Sequence, residues 1–192
     1  MLLDGKVAIV SGIGPGMGRD LSLAFAREGA DVALGGRTPA KLEEVAAEVE
    51  ALGRRALPVV CDIADEAACR TAVDRVAAEL GRVDVLVNNA FDGGDATPFV
   101  DADLDRWRTT MNVNLWGTLA MTRAAVPHLS AHGDGRVIMI NSMSVQRIQK
   151  RWDGAIELIS DNKEYNTQVI PATELEHLAI VGQVVWIGKD VG

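Results

Sequence analysis

The stretch Ser11-Gly12-Ile13-Gly14-Pro15-Gly16-Met17-Gly18 decides the fold of this chain. It follows a short apolar run at residues 6–10, typical of a buried parallel strand, and precedes residues 17–28, where apolar side chains recur at helical spacing. Glycines at such a junction permit a tight turn and let a phosphate group approach the backbone, where the first N–H groups of the helix face it. The stretch therefore predicts a phosphate-binding loop within a β–α–β unit, in preference to an ordinary glycine-rich turn.

The same alternation continues to about residue 140. Further strands are predicted over residues 31–34, 56–60, 83–87 and 136–140, and further helices over residues 38–53, 65–81 and 103–130. Thr38 and Asp65 are the predicted N-caps of the first two of these helices. The pattern predicts an α/β fold: a truncated, Rossmann-type, doubly wound parallel sheet of about five strands, with helices on both faces.

The last 50 residues follow a different pattern. Strand-like runs at residues 145–151, 155–160, 168–170 and 178–187 are separated by turn residues such as Asp153-Gly154. We therefore predict a Rossmann-like domain over residues 1–142 and a β-hairpin-rich tail of different origin over residues 143–192, joined near residues 142–147. A frameshift fits less well, because a shifted frame should lose its strand and turn signals.

Composition excludes several other classes. The 192 residues are 48% hydrophobic and 24% charged, with a net charge of −8, which is ordinary for a globular protein and argues against nucleic-acid binding. No apolar run suits a membrane span, and the first residues lack the basic start of a signal peptide. Cys61 and Cys69 match no metal-binding spacing. We expect reduced thiols, no metal, no membrane contact and a cytoplasmic location.

Four further segments follow the glycine loop in order. They are Cys61-Asp62-Ile63, Val87-Asn88-Asn89-Ala90-Phe91, Asn112-Val113-Asn114-Leu115-Trp116-Gly117 and Gly135-Arg136-Val137-Ile138-Met139-Ile140-Asn141-Ser142. With the spacing Gly12-x-x-x-Gly16-x-Gly18, they resemble the short-chain dehydrogenase/reductase family, although Phe91 stands where that family has glycine. The resemblance implies an oxidoreductase that uses a nicotinamide dinucleotide. It also implies these cofactor-binding residues: Ser11, Gly12, Gly16, Met17, Gly18, Asp62, Ile63, Asn89 and Ala90.

The end of the second strand selects between the two cofactors. An acidic residue there would accept hydrogen bonds from the ribose 2′-OH of NAD. This chain instead has Gly35-Gly36-Arg37, and Arg37 is placed to pair with the 2′-phosphate of NADP. The pattern predicts NADP in preference to NAD, with a merely solvated arginine as the alternative.

The catalytic residues that the resemblance implies are incomplete. Ser142 and Asn114 match the family's catalytic Ser and Asn, but the family also uses a Tyr with a Lys four residues later. Residues 152–158 contain neither, and Tyr165, the one tyrosine of the chain, has Val169 at that spacing. We therefore predict a chain truncated before this pair, in which Ser142 and Asn114 remain without a proton donor and catalysis is impaired.

The tail resembles a second family. Residues 145–151, 156–162 and 178–186 are similar to the C-terminal strands of LexA-like phage-repressor serine peptidases, with Gln146 where that family has its general-base lysine. An accidental β-rich tail is the alternative.

Three functions remain open at this stage. The first is an NAD(P)(H)-binding oxidoreductase relative with impaired catalysis. The second is an active NADP-dependent carbonyl reductase or alcohol dehydrogenase with substitute residues, for which Lys150 and Lys163 are the nearest lysines. The third is a non-enzymatic interaction module derived from a repressor. Partners would be the dinucleotide, a small carbonyl or alcohol substrate if the protein is active, and a second copy if it is a homo-oligomer. Loss of covering elements predicts an exposed apolar face and a tendency to aggregate.

Overall fold

A computed structural model describes residues 1–94, 97, 99–140, 146–150, 156–160 and 168–170. The chain divides into two compact units, Met1–Ile140 and Asn141–Gly192. Each unit has a sheet of its own.

Strands and helices alternate along the first unit, as the sequence predicts. Its strands are β1 (Val7–Ser11), β2 (Asp31–Gly36), β3 (Ala56–Val60), β4 (Val85–Asn88) and β5 (Arg136–Met139). Its helices are α1 (Met17–Arg27), α2 (Pro39–Ala51), α3 (Glu66–Leu80), α4 (Leu104–Met111) and α5 (Thr118–Ser130). A 3-10 turn (Phe99–Asp101) precedes α4. The predicted strand and helix ends differ from these by a few residues.

The five strands are parallel and lie in the order β3-β2-β1-β4-β5. This confirms the predicted doubly wound α/β fold. The chain moves outward from β1 to β3, then crosses back to β4 on the other side of β1. Open α/β sheets bind ligands at the carboxyl ends of the strands where the order reverses in this way. The crevice therefore lies beyond the ends of β1 and β4.

Apolar side chains are buried on both faces of the sheet. One cluster joins the sheet to α3 and α5 through Val73, Val76 and Met121. The other joins it to α1 and α2 through Leu23 and Leu42. Strands covered on both faces need nearly continuous apolar sequence, which is why β1 reads as an unbroken apolar run.

Both predicted N-cap residues occupy the N-caps of their helices, but only one of them makes a side-chain capping bond. The Asp65 carboxylate accepts hydrogen bonds from the Ala67 and Ala68 nitrogens at 2.8 and 3.1 Å, as predicted for an N-cap. Thr38 occupies the N-cap of α2 but makes no side-chain capping bond. There the chain enters the helix through Pro39, whose fixed φ suits the first helical position.

The predicted long helical stretch over residues 103–130 is confirmed, but its middle is not α-helical. Residues Asn112–Gly117 form a π-helical segment between α4 and α5. Gly117 lies directly against the turn after β3, and a Cβ there would be 2.8 Å from the Ile63 carbonyl oxygen. The wider helical turn lets the two segments approach. Such π-segments occur frequently at functional sites.

Asp84 anchors the opposite end of the sheet. Its buried carboxylate accepts a hydrogen bond from the Val7 nitrogen at 2.9 Å, from Arg82 Nε at 2.7 Å and from Lys6 Nζ at 3.3 Å. Burial disfavours the charged form, but these hydrogen bonds outweigh it and hold the pKa of Asp84 below its usual value.

Replacing Asp84 with Ala is expected to lower the free energy of unfolding by about 2–4 kcal/mol, because it leaves the Val7 nitrogen and Arg82 without their acceptor and removes one of the two partners of Lys6. Since the pKa is lower in the folded chain, this contribution is present above the unfolded-state pKa and is lost as pH falls through the folded one. Urea unfolding at neutral and acidic pH measures it. Asp134→Ala, which removes an exposed partner of Lys6, is the control and should cost much less. Equal losses in the two variants would contradict this account.

Apolar side chains are exposed along α4, the π-segment, α5 and β5. The largest exposed fractions are those of Leu104 and Trp116, 60% and 61%, and Met139 of β5 is also exposed. This agrees with the apolar face expected from the sequence. In the part of the chain that the structure describes, none of the helices is long and apolar enough to cross a bilayer.

The second unit contains three short antiparallel strands in the order β6-β7-β8. They are β6 (Gln146–Lys150), β7 (Ile156–Ser160) and β8 (Gln168–Ile170). These pairings agree with the predicted β-rich, antiparallel tail. The predicted turn at Asp153-Gly154, the predicted strand at residues 178–187 and Ser142 lie outside the described residues.

Candidate functional site

The glycine loop is fixed to the sheet on both sides. The Gly12 and Ile13 nitrogens donate to the Gly35 carbonyl oxygen at the end of β2, at 2.8 and 3.0 Å. On the other side Gly12 packs against the backbone after β4, where an added Cβ would lie 2.5 Å from the Ala90 nitrogen. Gly12 also has φ of +80°. Only glycine meets both requirements, because a side chain would be strained and would collide with backbone.

Asn89 ties the loop to β4. Its side-chain nitrogen donates to the Gly12 carbonyl oxygen at 2.9 Å, and its backbone nitrogen donates to Ser11 Oγ at 3.3 Å. Ser11 is buried and donates in turn to the Val87 carbonyl oxygen at 3.2 Å. Gly18 completes the arrangement, since a Cβ there would lie 2.5 Å from the Gly12 oxygen. The structure thus brings these predicted residues together as one rigid support.

The other face of the loop is open. A Cβ added at Gly14 or at Gly16 would have no atom within 4 Å. Gly16 is the N-cap of α1 and has no side chain to cap it, so the first N–H groups of the helix are directed at this open space. Met17 is half exposed beside them. An anionic group can therefore reach the helix N-terminus without displacing protein atoms.

A cleft of about 470 Å³ adjoins the loop. It lies between Gly14 and Pro15 on one side and α2 on the other, where Lys41, Glu44 and Glu48 line it. Lys41 is not predictable as a site residue from the sequence, because a single exposed lysine on a helix belongs to no motif.

Arg37 and Asp62 lie at the ends of β2 and β3, which are neighbours in the sheet. Both side chains are exposed. Asp62 accepts a hydrogen bond from the Ala64 nitrogen at 3.0 Å, whereas Arg37 has no hydrogen bond or ion pair within the described residues. Ile63 is buried beneath them. A bound molecule that extends from the glycine loop toward β3 would meet the free guanidinium of Arg37.

Asn114, predicted as a catalytic residue, is a structural clamp in this arrangement. Its side-chain oxygen accepts from the Asp92 nitrogen at 2.8 Å, and its side-chain nitrogen donates to the Asp92 oxygen at 2.9 Å. Asn114 lies in the π-segment. It therefore fixes the backbone that follows β4 rather than offering a free polar group to a ligand.

The same backbone carries an ion pair that the sequence analysis missed. Arg106 Nη1 donates to Asp92 Oδ2 at 2.5 Å, and Nη2 donates to Oδ1. The Gly94 nitrogen also donates to Oδ1, at 3.1 Å. The Arg106 guanidinium and the Gly94 amide hold the pKa of Asp92 at about 2. No motif joins these residues, which stand in different segments of the chain.

The two cysteines are free thiols, and both are buried. The neighbouring thiol of Cys61 and, to a smaller extent, burial raise the pKa of Cys69. Within the described ranges, no three His, Cys, Asp or Glu side chains are grouped so that they could hold a metal ion.

These elements match a known family. The model of the family described as short chain dehydrogenase matches residues 6–153. The chain belongs to this family. A short chain dehydrogenase of Pseudocercospora fijiensis is 40% identical to it over 145 residues, which are 73% of this chain and 46% of the relative. The chain spans about half the length of the curated relatives it matches. The family match extends past Ser142 to residue 153 and so overlaps the first residues of the predicted tail. The resemblance of that tail to LexA-like serine peptidases stays a prediction.

Solved short-chain dehydrogenases have the same fold. One from Burkholderia cenocepacia, in complex with NADP, is 40% identical, with a TM-score of 0.67 over 72% of this chain and 56% of its own. An NAD⁺-bound xylitol dehydrogenase is 30% identical, with a TM-score of 0.70 over 72% of this chain and 54% of its own. Members similar to this chain therefore bind either nicotinamide dinucleotide.

Proposed function

We propose that residues 1–140 bind a nicotinamide dinucleotide, with its pyrophosphate at the glycine loop and the N-terminus of α1. The observation that carries this proposal is the two-sided loop. Gly12 and Gly18 have no room for a side chain, whereas Gly14 and Gly16 face open space. A Cβ at either of the latter positions would occupy the space that a phosphate needs, so the cradle suits this group.

We further propose that the preferred dinucleotide is NADP(H). No acidic side chain stands at the end of β2 to accept a ribose hydroxyl, and the exposed guanidinium of Arg37 has no partner there within the described residues. A guanidinium binds a phosphate through two parallel hydrogen bonds. Asp62 and Ile63, at the end of β3, are the proposed contacts of the adenine.

Catalysis is proposed to be impaired in this chain. The dinucleotide, when bound, supplies or accepts a hydride, and the substrate oxygen then needs a proton donor or acceptor. Both side-chain polar atoms of Asn114 are engaged by Asp92. The sequence has no Tyr with a Lys four residues later. The proposed substrate class, small carbonyls or alcohols, follows from the family.

Two measurements on the 192-residue chain test these proposals together. NADPH at 100 times its Kd should raise the free energy of unfolding by about 2.7 kcal/mol, and NADH at the same concentration should raise it less. NADPH oxidation with a panel of aldehydes and ketones should not exceed the rate without protein. Turnover that Ser142→Ala abolishes would overturn the proposed impairment and leave the binding proposal standing. If neither dinucleotide raises the free energy of unfolding, the binding proposal is overturned.

A further inference from the structure

Arg37 and Asp92 lie on opposite sides of the glycine loop. Gly12 donates to the Gly35 oxygen at 2.8 Å, and its other side faces the Ala90 backbone. Arg37 comes two residues after Gly35, and Asp92 comes two residues after Ala90. Strands β2 and β4 are both neighbours of β1, so their ends are about 10 Å apart. The length of an arginine side chain covers most of that distance.

Arg106 engages the Asp92 carboxylate from the side of α4. It contacts both carboxylate oxygens, and it also donates to the Gly94 oxygen at 3.2 Å and to Thr110 Oγ1 at 3.1 Å. The pair is partly buried, with 32% of the Arg106 side chain and 21% of the Asp92 side chain exposed. The two-point contact neutralises the carboxylate and fixes its direction.

We infer that Arg106 is a specificity-determining residue: by holding Asp92, it keeps Arg37 available for the 2′-phosphate of the dinucleotide. The inference rests on the proposed NADP(H) binding. Without Arg106, Asp92 would be a partly exposed carboxylate that lacks its paired cation, and it would compete with the phosphate for the guanidinium of Arg37. After the larger effects of Arg106 and the Gly94 amide, the positive charge of Arg37 also lowers the pKa of Asp92, which agrees with the short distance between the ends of β2 and β4.

Binding of 2′,5′-ADP and of AMP to the full chain, measured by calorimetry, tests the inference. These probes differ only in the 2′-phosphate. Arg106→Gln is expected to weaken 2′,5′-ADP binding by about fivefold, the size of a partly exposed ion pair, and to change AMP binding by less than about twofold. In an Arg37→Gln background, Arg106→Gln should have no further effect on 2′,5′-ADP, because the residue through which it acts is gone.

Two further variants separate this role from a purely structural one. Asp92→Asn combined with Arg106→Gln should restore 2′,5′-ADP binding, because the competing charge is removed. Asp92→Asn alone, which keeps Arg106, should leave the affinity for 2′,5′-ADP within about twofold of the wild-type value. This variant keeps the inference testable if Arg106→Gln does not fold. A fivefold loss in Asp92→Asn, or equal losses of both probes in Arg106→Gln, would overturn the inference alone. A wild-type chain that does not prefer 2′,5′-ADP to AMP would overturn the proposed NADP(H) preference, and the inference with it.

Discussion

Arg37→Gln is expected to weaken NADPH binding by about 10- to 100-fold and to change NADH binding by less than about twofold. This loss of affinity is the size expected when charge-assisted hydrogen bonds from an arginine to a phosphate are replaced by the neutral hydrogen bonds of a glutamine. NADH has no 2′-phosphate and therefore loses little. The Arg37 side chain is exposed and has no hydrogen bond or ion pair within the described residues, so its removal should not alter the fold. Competition titrations of the two dinucleotides measure the ratio.

Lys41→Gln is the matched control for Arg37→Gln. Lys41 is also an exposed cation near the glycine loop. It lies four residues after Arg37, in α2, and lines the adjoining cleft. It should change NADPH binding much less than Arg37→Gln does. If Lys41→Gln causes the large selective loss and Arg37→Gln does not, the 2′-phosphate lies in that cleft and the assignment of Arg37 is wrong.

Gly12→Ala is expected to lower the free energy of unfolding by about 3 kcal/mol or more and to abolish NADPH binding. The added methyl would meet the Ala90 nitrogen at 2.5 Å. The backbone at Gly12 has φ of +80°, which alanine adopts only with strain. A movement of the loop that relieved the clash and the backbone strain would separate it from Asn89 and deform the phosphate cradle. Urea unfolding and NADPH titration of the same variant measure the two losses.

Gly16→Ala is the matched control for Gly12→Ala. It adds the same methyl four residues along the loop, where no atom lies within 4 Å. Its free energy of unfolding should remain within about 1 kcal/mol of the wild-type value, because alanine creates no contact there. Its NADPH binding should nevertheless weaken by at least about tenfold, because the methyl occupies the phosphate space. Wild-type affinity in Gly16→Ala would show that the open face of the loop does not hold the phosphate.

Much of the fold is predictable from the sequence, because buried parallel strands are continuously apolar and helices repeat at 3.6 residues. The β1 strand, the glycine loop and the Asp65 cap are each local patterns. The π-segment was not predictable, since it depends on the packing of Gly117 against Ile63, which are far apart in sequence. The same reason applies to the Asp92–Arg106 pair.

The candidate site was predicted as a set of residues but not as an arrangement. The sequence places Ser11, Gly12 and Gly16 in one motif without distinguishing their positions. In the structure Ser11 and Gly12 belong to the buried support, whereas Gly16 faces open space. The resemblance implies a structural and catalytic role for Asn114, but the partner that its side chain holds, the Asp92 backbone, is not predictable from the motif. Contacts of this kind are set by the tertiary structure.

Calorimetric titration of NADPH into the 192-residue chain tests the central proposal most directly. Gly16→Ala, with its unfolding transition checked beforehand, serves as the reference for a chain with a blocked loop. We expect saturable binding with one NADPH per chain, tighter than NADH binding, and a loss of at least about tenfold in Gly16→Ala. A folded wild-type chain that shows no saturable NADPH binding would contradict the assignment of residues 1–140 as a dinucleotide-binding site.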